Sequence, residues 1–433
     1  MDKCVKRGYL IVGIAVLAIL IVFGFLSYNK YQAGTNRYDN KEDYLSGSQY
    51  KSNGSNFSNN SNNQRNQPSI SDYPETKGCK GTGSVKLSVS PRKMEDIGYF
   101  APMGLMLGDH VTPIDHGYFH PPIRKMDVTS AELKDVYVPA DGVITLIARM
   151  PDFFKTTNQA DLQDYRIIIY HSCTFYTIYI HVNTLSDKLM QAVPNIQPGN
   201  NKYVSINVKA GELLGRGNSI DFSVVDNEKK LTGYLDPKNY EGEPWKIHIV
   251  DPIEAFAEPV RSQLIAKNPR SASPIGGKID YDQPRKLIGN WFLEGTRGYA
   301  GVETQMNYWT SHIAFAPDAY DPSHFIISLG EFDERSSRQY GVKGNSPDPA
   351  SVDSSSGLIK YELVQFDYID SSGNAWDGLT YGSGIKVRNL DSEARGILLV
   401  QVLEGEKLKV EKFPGKTANE VNAFTNNAKM YYR

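Results

Sequence analysis

Residues Gly108–Phe119 read GDHVTPIDHGYF and bring His110, Asp115 and His116 into seven positions. Imidazole and carboxylate are the ligand types of zinc, and a catalytic zinc is held by three protein ligands with a fourth position open to water. The segment therefore reads as a plausible half of a zinc site. The bland alternative for His116, which precedes Gly-Tyr-Phe, is a turn histidine bonded to backbone. The other histidines carry less. His120, before Pro121-Pro122, reads as a loop residue. His171 beside Cys173 reads as a satisfied strand histidine, a His/Cys metal pair being the alternative. His248 sits in an edge strand of structural character.

Chemistry at such a site depends on the elements that hold it. Val136–Ala140 leads into Asp141-Gly142, a strong turn dipeptide, and then into Val143–Arg149. Tyr165–Tyr170 and Phe175–Val182 read as the two arms of a hairpin, and Lys202–Val208 as another strand. Lys209–Gly217 reads as a turn-rich loop before a strand over Ser219–Val225. Short strands separated by frequent turns argue an antiparallel β fold. Strand alternation puts Ser219, Asp221 and Ser223 on one face and Ile220, Phe222 and Val224 on the other.

The stretches VYVPADGVITLIAR, DYRIIIYHSCTFYTIYIHVNTLS and VKAGELLGRGNSIDFSVVD, in that order, resemble the M23 (lysostaphin or LytM-like) zinc metallopeptidases over roughly residues 103–225. The resemblance implies a zinc held by a His and an Asp of an early motif and by the second His of a His-x-His strand. It also implies two further histidines for proton transfer and oxyanion stabilisation. Carried over, His110 stands for the first ligand, with Asp115 one residue further than the family spacing and His116 competing with it. His181 matches the histidine that ends the family's hairpin. Ser219 and Asp221 fall on the His-x-His pair, so Asp221 points where the third ligand belongs and the other imidazole is missing. The expected metal set is thus His110, Asp115, His116 and Asp221, with His181 as the catalytic residue if the domain is active. The cofactor is none, or zinc if the altered site works.

At 433 residues the chain exceeds one typical domain. Residues 1–8 read as a cytoplasmic tail and residues 9–28 as a transmembrane helix, since roughly 20 apolar helical residues span a bilayer core. Lys3, Lys6 and Arg7 keep the tail inside and the rest outside. Residues 29–84 read as a disordered Asn/Ser-rich linker with three glycosylation sequons. The M23-like β domain spans 85–260, a linker 261–285, and a C-terminal β domain 286–433. That last domain is read as a small barrel or sandwich closed by a helix over Thr417–Tyr432, where apolar residues recur at helical spacing. Cys79 and Cys173 both fall outside the membrane, where a disulfide between them would persist. Gly289-Asn-Trp291 opens a strand around a core tryptophan.

These features together describe a mainly β, single-pass plasma-membrane protein with extracytoplasmic domains. Its partners are the membrane, through the N-terminal helix, and a cell-envelope glycan, peptide or partner hydrolase. A net charge of −2 and the lack of a basic run disfavour nucleic acid. The missing His-x-His pair makes a binding or regulatory module the leading expectation. A zinc endopeptidase with an altered site is the enzyme alternative, and a structural envelope protein the third.

Overall fold

The structure, a computed structural model, describes residues 78–123, 128–151, 162–301, 308–330, 332 and 338–433. The expected transmembrane helix, and all but the last residues of the Asn/Ser-rich linker, lie outside these residues. Among the described residues no helix is long and apolar enough to cross a membrane.

Among the described residues, the first half holds eleven strands: β1 Tyr99–Ala101, β2 Gly117–His120, β3 Lys134–Tyr137, β4 Gly142–Arg149, β5 Tyr165–Tyr170, β6 Phe175–Val182, β7 Thr184–Leu185, β8 Asn201–Val208, β9 Leu213–Gly217, β10 Ile220–Asp226 and β11 Ile249–Val250. The main sheet runs β1-β2-β10-β6-β5-β4-β8, with β11 continuing along β10. A small sheet, β3-β9-β7, packs beside it. The segment 209–217 is thus only partly loop, because Leu213–Gly217 pairs with β3. His248 ends a short 3₁₀ helix, Pro244–His248, and only Ile249–Val250 form the edge strand.

The alternation of β10 decides the architecture. Ile220, Phe222 and Val224 enter a core with Phe119, Tyr179, Ile144 and Ile167. The opposite face is ordinarily solvated in a one-sided antiparallel sheet. Here every residue of β10 is buried. A second apolar layer covers that face, in which Tyr234, Tyr240, Phe292 and Tyr299 join Ile168, Ile178 and Val225. Phe292 belongs to the C-terminal half, so the two halves share this layer.

That half is a closed antiparallel barrel of β12 Gly289–Leu293, β13 His312–Pro317, β14 Phe325–Leu329, β15 Arg338–Val342, β16 Ile359–Ile369, β17 Lys386–Leu403, β18 Lys407–Pro414 and β19 Lys429–Tyr432. Closure removes exposed strand edges. Trp291 is fully buried in the barrel core, its Nε1–H donating to the Leu287 carbonyl at 2.7 Å. The expected C-terminal helix over Thr417–Tyr432 is corrected: Lys429–Tyr432 is the strand that closes the barrel between β18 and β12. The helical spacing misled because Val421 packs outside the barrel against Ile397 and Leu399, while Tyr431 points into its core.

All described residues fall within one compact unit. Residues 261–285 are packed rather than extended: Val260–Ile265 is helical, and Asn268, Arg270, Asp280 and Asp282 are buried. The loop between β16 and β17 returns to the sheet, where Trp376 and Ile385 pack on Tyr99 and Ala101. Tyr99 Oη donates to the Gly378 carbonyl at 2.8 Å. Cys79 and Cys173 form a disulfide that ties the start of the described chain to the turn between β5 and β6.

Candidate functional site

The expected site residues gather where β2, β10 and the end of β6 meet. β2 is short and steeply packed. Gly117 has no room for a side chain, since a Cβ there would meet Phe100 Cζ at 2.3 Å and the Ala101 carbonyl at 2.8 Å. Alternation along this strand turns His116, Tyr118 and His120 to the face that Asp221 shares on β10. Tyr118 pairs directly with Asp221 in register, and the rings of Tyr118 and His120 stack at 5.4 Å.

His116, rather than Asp115, meets Asp221. His116 Nε2 lies 3.2 Å from Asp221 Oδ2 and 3.1 Å from Tyr118 Oη. His116 Nδ1 lies 3.1 Å from Asp115 Oδ1, so the ring bridges two carboxylates. His110 stands further out. It is exposed as a residue, its Nε2 lies 3.3 Å from Tyr118 Oη, and its ring packs edge-on to that of His116 with centroids 5.7 Å apart. Ser219 is occupied by His120, whose Nδ1 lies 2.8 Å from its Oγ. Arg92, buried beneath, donates to the Gly217 and Asn218 carbonyls at 3.0 and 2.6 Å and holds the turn that presents Ser219.

His181 arrives from the other side. Its φ is 64°, a left-handed conformation uncommon outside glycine. The β5–β6 register shifts beside it, between Tyr165 and Ile167. Such irregularities re-aim side chains next to sites. Here the ring is held by Asp164, which accepts from the His181 backbone N–H at 3.1 Å and bonds Nδ1 at 2.8 Å. His181 Nε2 then faces Asp221 Oδ2 at 3.5 Å. Burial opposes charge on this ring, but Asp164 and Asp221 together outweigh it and raise the imidazole to about 10. At neutral pH His181 is a cation between two carboxylates. A general base must be neutral there.

Asp115 is committed elsewhere. Lys246 Nζ lies 3.1 Å from its Oδ1, and Trp245 Nε1 donates to its Oδ2 at 2.7 Å. Burial pushes the Asp115 carboxyl up, yet the Lys246 ammonium and the His116 and Trp245 hydrogen bonds outweigh burial and hold it well below the usual range. The result is a chain of contacts, Lys246–Asp115–His116–Asp221–His181–Asp164, in which acidic and basic groups alternate.

The donors present do not fit a three-ligand zinc cradle. Among the described residues no three His, Cys, Asp or Glu side chains are grouped to hold one ion. The imidazoles of His116 and His181 flank Asp221, while Asp115 faces an ammonium and His110 meets the Tyr118 hydroxyl rather than a carboxylate. Sequence reasoning missed Asp164, Lys246, Trp245 and the role of Tyr118 and His120. Period-2 alternation through His116-Gly-Tyr118-Phe-His120 was the available signal for the last two. Lys246 and Trp245 lie some 130 residues from Asp115, and no local pattern links them.

No protein-family model matches the chain, and no curated protein matches it. Among solved structures, the NMR solution structure of lysostaphin aligns over 81% of this chain and 92% of that chain, at 10% identity and a TM-score of 0.20. At that score the alignment is too loose to bear on function.

Proposed function

We propose that this chain is a single-pass, membrane-anchored protein of the cell envelope whose first β domain, residues 85–260, is an M23-like scaffold without peptidase activity. It acts as a binding or regulatory module toward an envelope glycan, a peptide or a partner hydrolase. The barrel domain, residues 286–433, backs the sheet face that would otherwise lie open. Residues 9–28 serve as the anchor. The observation that carries the loss of catalysis is the Lys246–Asp115 pair, 3.1 Å apart and nearly buried. An ammonium on that carboxylate opposes a divalent cation beside it. Ser219 in place of an imidazole, and the charge on His181, remove the proton carriers that the peptidase chemistry uses.

One observation favours a second reading, an altered metal site drawn from His110, Asp115 or His116, and Asp221, with His181 as the acid/base. Asp221 Oδ1 is buried without a hydrogen-bond partner among the described residues, which normally carries a cost. Metal analysis of the purified protein decides between them. Less than a tenth of an equivalent of zinc after saturation and desalting supports the inactive module. One equivalent, lost in Asp221→Ala, would overturn it.

A further inference from the structure

The Lys246–Asp115 contact has an attacking group, a proton relay and an oxyanion donor arranged around it. Lys246 Nζ lies 3.1 Å from Asp115 Oδ1 and 3.1 Å from Glu243 Oε2. The Lys246 and Asp115 side chains are only 5% and 8% exposed. Lys246 also sits over the Tyr299 ring, 4.5 Å from its centre. The surrounding layer is aromatic, with Tyr234, Tyr240 and Phe292 among its members. Lys246 and Glu243 lie on the Pro244–His248 turn and its N-cap, which fixes their spacing. A buried ion pair of this kind has lost the hydration of both ions, so a reaction that removes both charges together removes that penalty.

We propose that Lys246 and Asp115 condense into an intramolecular amide, with Glu243 as the proton relay. Starting from the ion pair, one proton passes from Nζ to Asp115 Oδ1, which leaves a neutral amine and a neutral carboxyl. The neutral amine then attacks Cγ, forming the Nζ–Cγ bond. Oδ2 carries the developing negative charge and is met by the Trp245 Nε1–H, already 2.7 Å away. Glu243 takes the second proton from Nζ and hands it to Oδ1. The Cγ–Oδ1 bond breaks and one water leaves. No oxidant, reductant or cofactor enters the balance. The amide ties the loop before β2 to the turn before β11, across 131 positions of sequence, next to the candidate site.

This inference rests on the same contact as the inactive-module reading, because an amide at Asp115 withdraws that carboxylate from a metal just as the ammonium does, but it fails separately from that reading. Its readout is covalent mass, whereas that reading is tested by bound zinc. The full-length protein is folded, aged for days, reduced, denatured and digested, and its peptides are mapped by mass spectrometry. The expected result is one branched peptide joining the Asp115 and Lys246 segments, lighter than the two separate peptides by one water. Lys246→Met and Asp115→Ala each abolish it. Glu243→Gln retains the fold, checked by circular dichroism and thermal unfolding before reduction, but loses most of the branched product. Two separate full-mass peptides from aged wild type overturn the proposal. Branched product forming equally in Glu243→Gln overturns the relay.

Discussion

Asp164 holds His181 twice, accepting from its backbone N–H at 3.1 Å and bonding its ring Nδ1 at 2.8 Å. The first contact supports a left-handed backbone and the second fixes the ring against Asp221. The ring's pKa, raised to about 10 against the opposing effect of burial, follows from the two carboxylates. The sign is that of a cation favoured by the fold. Its stabilisation is fully present below the ordinary value near 6.5 and is lost as pH rises through about 10. The side chain is 43% exposed, so solvent screening keeps the stability term small. NMR of the His181 ring should therefore show no titration between pH 5 and 8 in the wild type. In Asp164→Asn the midpoint should fall from about 10 toward the ordinary value near 6.5. A wild-type midpoint near 6.5 would show that Asp221 and Asp164 do not act on the ring as the distances require.

Removing Lys246 should be costly. Asp115 would keep its burial and lose its cation, and breaking a buried pair on one side costs about 3–5 kcal/mol. Denaturant unfolding of Lys246→Met should show a loss of that size at pH 7, relative to freshly folded wild type in which the pair is still ionic. The double variant Lys246→Met/Asp115→Leu, which leaves no orphaned charge, should recover part of it. Equal stability of wild type and Lys246→Met would mean that the pair is solvated and exerts no hold on Asp115.

Much of this arrangement was readable in the residues. The hairpin Tyr165–Tyr170 and Phe175–Val182, the strand ending in Val225, and the inward direction of Asp221 all follow from period-2 patterning, because one face of each strand packs a core. The partner of Asp221 did not follow. Asp115 and His116 are adjacent, and only the start of β2 at Gly117 decides which one faces β10. The C-terminal segment failed for a different reason. Val421 and Phe424 repeat at helical spacing, yet barrel closure needed a final strand, and Tyr431 packs inside it. Long-range pairs such as Lys246 with Asp115 leave no local trace at all.

Asp282 offers a test of the junction between the sheet and the barrel. It accepts from Asn290 N at 2.8 Å and from Leu235 N at 3.3 Å, and burial, opposed by Arg433 and these bonds, raises its carboxyl to about 6. The fold prefers the protonated acid. The stability this group confers is complete below 3.8 and is lost as pH rises through about 6. Asp282→Asn keeps an acceptor for Asn290 but cannot ionise. The stability of the variant relative to wild type should therefore rise between pH 4 and pH 7, by about 3 kcal/mol at most. A constant difference across that range would place the carboxyl at its ordinary value.

Trp376 is the residue through which the barrel grips the far end of the site. It is 7% exposed, and its ring lies 5.7 Å from Tyr99 and 5.2 Å from Tyr320. Tyr99 in turn lies 4.5 Å from the His120 ring, which occupies Ser219. Trp376→Ala should cost about 3–5 kcal/mol, the usual range for a buried tryptophan. The effect should be local in exchange as well as global in stability. Amides of β1 and β2 should lose hydrogen-exchange protection before those of β5 and β6, because the loop carrying Trp376 covers the first pair and not the second. Uniform loss across the sheet would show that the loop stabilises the barrel alone. Unchanged protection at Tyr99–Ala101 would show that it does not hold the site closed.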